Sequence, residues 1–164
     1  MSMKCRAGWL LSLILAVLLG AMTWKFIIAG QTVRADDGRT VVLLTADERN
    51  KVLGEMRGLL ETVQGIAQAA ADGDLAEAER LARASGMAAA KGEGAIIRKL
   101  PLDFKTLGLG THQAFDDLAD FIAGTDDPLA VVGELGSLMG NCTGCHASYR
   151  LGIEGRDDAG ALAK

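Results

Sequence analysis

Aromatic residues, cysteine and histidine are all scarce in this chain. Among 164 residues there are four Phe, two Trp and one Tyr. Strand-forming aromatic and β-branched residues are therefore few, which argues against a sheet protein. Ala, Leu and Gly dominate instead and suit closely packed helices. Basic residues are not in excess either. Residues 31–164 hold all 21 acidic residues against 14 of the 17 basic ones, a balance of about −7. That sign excludes nucleic acid as the expected partner and leaves a basic protein partner open. There is no internal repeat and no low-complexity tract. The cysteines are Cys5, Cys142 and Cys145, and the histidines are His112 and His146. There is no second C-x-x-C and no H-x-x-x-H, so a zinc site lacks its fourth ligand.

The first 30 residues differ from the rest. Lys4 and Arg6 precede an uncharged run of 17 residues, Gly8 to Trp24; Lys25 interrupts, and FIIAG extends the apolar stretch to 23. A basic start and an apolar run mark export or membrane insertion. At about 1.5 Å per residue the stretch is long enough to cross a bilayer, with Lys25 snorkelling to the interface. Residues 1–30 are expected to be an uncleaved signal anchor. The rival is a signal peptide cut after Val33-Arg34-Ala35. Cys5 precedes the apolar run, so it does not stand where a lipoprotein cysteine should and reads as an unused thiol. Both tryptophans lie in this segment, so the core of the remainder lacks bulk.

Residues 31–44 read as a polar tether ending in an apolar patch, Val41 to Leu44. Thr45 and Glu48 have capping-box spacing, and Val52, Met56, Leu59, Val63, Ile66 and Ala70 recur at helical steps up to about Ala71. Asp74 and Glu77 repeat the cap before a small-residue helix running to about Lys91, with Leu75, Ala78, Leu81, Ala82 and Ser85 on one face. Residues 92–110, with four glycines and Pro101, read as an irregular loop laid across the core by Ile96, Ile97, Leu100, Leu102 and Phe104. Thr111 is the expected cap of a third helix with Phe115, Leu118 and Ala119 or Ile122 inside. Asp127-Pro128 starts a fourth, whose stripe Leu135, Leu138, Met139, Cys142, Cys145, His146, Tyr149 ends at Gly152 and Gly155. The expected fold is all-α, an antiparallel four-helix bundle over residues 45–155 with a tail at 156–164.

The stretch GNCTGCHASYRLG holds the chemistry. C-x-x-C-H is the attachment signature of c-type haem. On a helix, Cys142, Cys145 and His146 fall at i, i+3 and i+4 and share one face. The thiols bond the haem vinyl groups, and His146 reaches the iron as axial ligand. A redox C-x-x-C lacks its βαβ context here, and a disulfide across two residues of one helix is geometrically poor.

CTGCHASYR at the end of the last of four helices resembles the class II c-type cytochromes, the cytochrome c′ and c-556 group. The resemblance covers about residues 45–152. It implies one covalent haem c on Cys142 and Cys145, with Tyr149 and Arg150 at the family's aromatic and basic places after His146. The chain departs from the family before and within the third helix. Phe104 has no following Pro, and Phe115 stands there without a Trp. The resemblance also implies that a first-helix residue covers the far side of the iron. Met56, in GEMRGLL, is the candidate sixth ligand, with packing as its plainer role. His112 is the alternative ligand, and a surface or capping role near Asp116 its plainer one. Met87 and Met139 are weaker candidates, with Met139 packing beside the ring. Arg150, one helical turn after His146, pairs with a haem propionate or ends the helix in solvent. Tyr149 packs against the haem.

The expected function follows from the anchor and the haem: an exported carrier of single electrons on the periplasmic side of the inner membrane. Its partners are redox proteins of the cell envelope and the membrane itself. The alternative is a five-coordinate, cytochrome c′-like protein that binds nitric oxide or carbon monoxide. A peroxidase is the weakest reading, because only His112 offers distal acid–base chemistry. The family implies a candidate homodimer through the first bundle helix, whose outer face here neither favours nor blocks it.

Overall fold

The computed structural model describes residues 3–90 and 94–156, with the backbone alone for residues 3–7. Lys91, Gly92, the tail from 157 onward and the side chains of Lys4, Cys5 and Arg6 lie outside the described residues. The chain is mostly helical. Helix α1 (Met3–Thr23) runs on through a π-helical stretch, Trp24–Ala29. From Gly8 to Ala29 it is long and apolar enough to be a signal anchor or membrane span. Its large side chains from Trp9 to Ile28 are exposed. The Lys25 ammonium donates to the Gly30 carbonyl at 3.3 Å.

The segment read as a tether is instead two strands, β1 (Thr32–Arg34) and β2 (Thr40–Leu44). They pair antiparallel, with Val33 opposite Val41. The third strand, β3 (Tyr149–Ile153), pairs parallel to β2, with Val41 opposite Arg150 and Val42 opposite Leu151. Residues more than 100 positions apart thus close one small sheet of order β1-β2-β3. The apolar patch 41–44 is what drives it, since Val41, Val42 and Leu44 are fully buried.

Helix α2 (Ala46–Ala71) opens as its sequence dictates. The Thr45 hydroxyl accepts from the Glu48 amide, and the Glu48 carboxylate accepts from the Thr45 amide at 2.8 Å. Helix α3 (Leu75–Ala84) is capped by Asp74 and stops short of the expected Lys91, giving way to a 3₁₀ turn at Met87–Ala89. The 3₁₀ turn is fastened by Asp116, which accepts from the Met87 amide at 2.8 Å. Helix α4 (Gly94–Ile97) is one turn long. Helix α5 (Leu102–Ala123) starts nine residues before Thr111. Thr111 is therefore no cap; it is buried in the helix, and its hydroxyl donates to the Leu107 carbonyl at 2.9 Å. Helix α6 (Pro128–Ser148) begins on the Asp127 cap with Pro at its first position.

Helix α2 packs against α3 and α6, and α5 packs against the same two. Their shared core holds Val63, Ile66, Ala78, Ala82, Phe115, Leu118, Ala119, Ile122, Val131, Leu135 and Leu138. The inner faces expected of the four helices are thus the buried or half-buried ones, except that Met139 and His146 are exposed. A second cluster sits at the sheet end: Val42, Leu44, Val52, Ile96 and Phe104, with Met56, Leu100, Cys145, Tyr149 and Leu151 packed on it.

Candidate functional site

The C-x-x-C-H sequence occupies the last two turns of α6. Each helical residue turns about 100°, so Cys142 and Cys145 prolong the buried stripe of Val131, Leu135 and Leu138. Both are half-buried free thiols. Burial pushes the Cys145 thiol above its ordinary range, and the neighbouring Cys142 adds to this. His146 is exposed, and among the described residues its imidazole makes no hydrogen bond. Among the described residues no three His, Cys, Asp or Glu side chains converge as ligands for a bare metal ion.

These features fit haem c. Thioether formation needs two free thiols one helical turn apart, and axial ligation needs an uncommitted imidazole beside them. The second cluster brings in the other expected partner. Met56 is partly buried and packs on the same apolar cluster as Cys145 and Tyr149. The thioether of α2 and the thiol of α6 therefore border one apolar cluster, which the sequence pattern did not place.

The helix ends at Ser148, so Tyr149 and Arg150 do not continue the helical stripe as expected. Tyr149 already has extended backbone (φ −129°, ψ 154°). Its ring meets Phe104 edge to face, with centroids 5.3 Å apart at 86°. Burial raises the Tyr149 phenol above its usual range, with Asp103 adding to it. Arg150 stands in β3, not one turn beyond His146, and its guanidinium lies 3.5 Å from the Asp37 carboxylate. Asp37 is held below the usual carboxylate range, chiefly by its hydrogen bond from Arg39. Arg39 in turn reaches the motif, donating to the His146 carbonyl at 3.4 Å. The β1–β2 hairpin thus props the end of α6.

His112 is placed elsewhere. Its Nδ1 lies 2.7 Å from the Ser85 carbonyl at the end of α3, and it is not part of the cluster that Met56 and Cys145 share. Sequence reasoning missed Asp37, Arg39 and Leu100 as neighbours of the site. The only signal for them was the apolar patch 41–44, which called for a partner that a tether would not have. Comparison of this chain with protein-family models, with curated proteins and with solved structures returns no match.

Proposed function

We propose that the chain is a membrane-anchored c-type cytochrome that carries single electrons in the cell envelope, its four packed helices forming an antiparallel haem-binding bundle. The observation that carries this reading is the last two turns of α6. Free, half-buried Cys142 and Cys145 stand one turn apart, followed by an uncommitted His146. When bound, haem c supplies one-electron chemistry at its iron. The chain's residues do the rest. Cys142 and Cys145 would hold the porphyrin covalently, and His146 would offer a nitrogen to its iron. Met56, from α2, would serve either as sulfur ligand or as apolar cover. Phe104, Tyr149 and Leu151 exclude water from the Cys145 side. The engagement of Arg150 with Asp37 favours a structural role over a propionate contact.

The test is absorption spectroscopy of the haem-loaded full chain in ferric, ferrous and carbon monoxide-treated ferrous forms. A low-spin spectrum that ignores carbon monoxide is expected, turning high-spin in Met56→Ala and unchanged in His112→Ala. A high-spin wild type that takes up carbon monoxide at once moves the protein to the gas-binding reading and leaves Met56 as packing. Haem that stays covalently attached in Cys142→Ser/Cys145→Ser sinks the site assignment altogether.

A further inference from the structure

The junction between α1 and the rest of the chain is a fixed joint. Gly30 has φ 64°, in the left-handed region that favours glycine. A Cβ there would lie 2.5 Å from the Lys99 carbonyl oxygen, 2.6 Å from the Pro101 nitrogen and 2.7 Å from the Leu100 carbonyl carbon. The backbone of residues 30 and 99–101 is therefore in contact, with room for no side chain between. Next along the chain, the Gln31 amide donates to the Lys99 carbonyl at 2.7 Å, and the Leu43 amide donates to the Gln31 carbonyl at 2.8 Å. From the first turn of α5, the Lys105 ammonium donates to the Ile27 carbonyl at 3.1 Å and the Phe26 carbonyl at 3.4 Å. Those are carbonyls of the last apolar turn.

This contact fixes depth. The apolar stretch Gly8–Ala29 spans 22 residues, or about 33 Å at the helical rise, against a hydrocarbon core of about 30 Å. Gly30 then stands at the boundary between hydrocarbon and headgroups. Lys99, Leu100 and Pro101 touch it and so share its depth. Leu102 follows within about 4 Å and Ile97 precedes Lys99 by at most about 7 Å. The headgroup layer is itself about 5–8 Å thick on each side. Ile97 and Leu102 are 41% and 42% exposed. They stand beside exposed Arg98 and Asp103.

We infer that the corner made by α4 and the first turn of α5 lies in the headgroup layer of the bilayer that α1 crosses, so that the C-x-x-C-H end of the fold faces the membrane. The inference rests on the anchor reading above. Leu100, one of the touching residues, packs on the same cluster as Cys145, which places the motif at this end. The electron carrier is then held in one orientation toward partners embedded in the same bilayer. It does not swing on a tether.

The experiment is lipid quenching of single tryptophans in the full, haem-loaded chain, in phosphatidylcholine vesicles with and without brominated acyl chains. One protein keeps only Trp24, through Trp9→Phe. The others carry Ile97→Trp, Leu102→Trp or Leu129→Trp with both native tryptophans changed to Phe. Leu129 is 77% exposed at the opposite end of α6, about 30 Å from Ser148 along the helix. Haem dims each tryptophan equally in the two lipids, so their ratio reports bromine alone. Loss of emission at 24, 97 and 102 but not at 129 is the expected result. Loss at 24 alone leaves the anchor standing and overturns the inference. No loss at 24 overturns the anchor reading, and the inference with it. Loss at all four positions means indiscriminate adsorption and also overturns it. Gly30→Ala added to Leu102→Trp should break the joint and relieve quenching at 102, while Gly30→Ala added to the protein that keeps only Trp24 should leave Trp24 quenched. Quenching retained at 102 would refute the joint as its cause.

Discussion

At the scale of single residues, Lys99 couples two parts of the chain that the sequence reads separately. Its ammonium lies 2.6 Å from the Glu48 carboxylate and 2.8 Å from that of Glu154. Lys99 and Glu48 are only 19% and 18% exposed. Glu48 is held below the usual carboxylate range, first by Lys99 and next by the Thr45 amide. For Lys99, burial pulls the pKa down, but the bonds to Glu154 and Glu48 outweigh it and the net shift is upward. The signs set a window. Glu48 contributes stability that is present above its unfolded value of about 4.3 and lost as pH falls through the depressed folded value. Lys99 contributes stability that is full below about 10.4 and lost as pH rises through the raised value. Lys99→Met should therefore destabilise at pH 7 by on the order of 1–3 kcal/mol, since it strands a half-buried carboxylate. The cost should shrink once Glu48 is protonated in acid. Urea unfolding of both proteins at neutral and acid pH checks this, and a cost that does not change with pH counts against it. The capping role of Glu48 was legible, because Thr45 stands three residues before it. Its ion partner was not. Lys99 lies 51 positions away, in a stretch whose glycines hide any period.

At the scale of elements, the sequence is most readable where one local rule decides the outcome. The caps at Thr45, Asp74 and Asp127 all form as their residue types dictate. It is least readable where packing overrides propensity. Gly108 and Gly110 argue for a loop, yet both lie inside α5. The buried Phe104 at the start and Thr111 and Phe115 further on hold that helix together across the weak stretch. The strands were hidden for a different reason: β2 and β3 are five residues each and pair from opposite ends of the chain. No local pattern carries a register between residues so far apart. The α5 assignment has a direct consequence. Nothing lies within 4 Å of a Cβ added at Gly108 or Gly110, and alanine is favoured over glycine in a helix interior by roughly 1 kcal/mol. Gly108→Ala should raise the melting temperature of the protein. A neutral or lower melting temperature would mean that residues 102–110 are not helical in solution.

At the scale of the whole molecule, the two larger apolar clusters of the fold are separate. One lies between α2, α3, α5 and α6 around Phe115; the other lies at the sheet end around Phe104, with Met56, Cys145 and Tyr149 packed on it. The two phenylalanines share one helix but are eleven positions apart, about 16 Å along α5 at the helical rise. Sites this far apart with no shared partner change stability additively, within about 0.5 kcal/mol. Phe115→Leu and Phe104→Leu should each cost on the order of 1 kcal/mol, and the double variant should cost their sum. The haem spectrum separates the two centres. Phe104 supports Tyr149 directly and belongs to the cluster on which Cys145 and Met56 both pack, so Phe104→Leu should shift the absorption of the loaded protein. Phe115→Leu should leave it unmoved while lowering stability as much. Denaturant unfolding read by circular dichroism gives the first quantity, and the haem absorption band of the same samples gives the second. A coupling well above 0.5 kcal/mol, or a spectral shift from Phe115→Leu, would mean that one continuous core serves both purposes. The motif would then owe its geometry to all four packed helices, not to the sheet end.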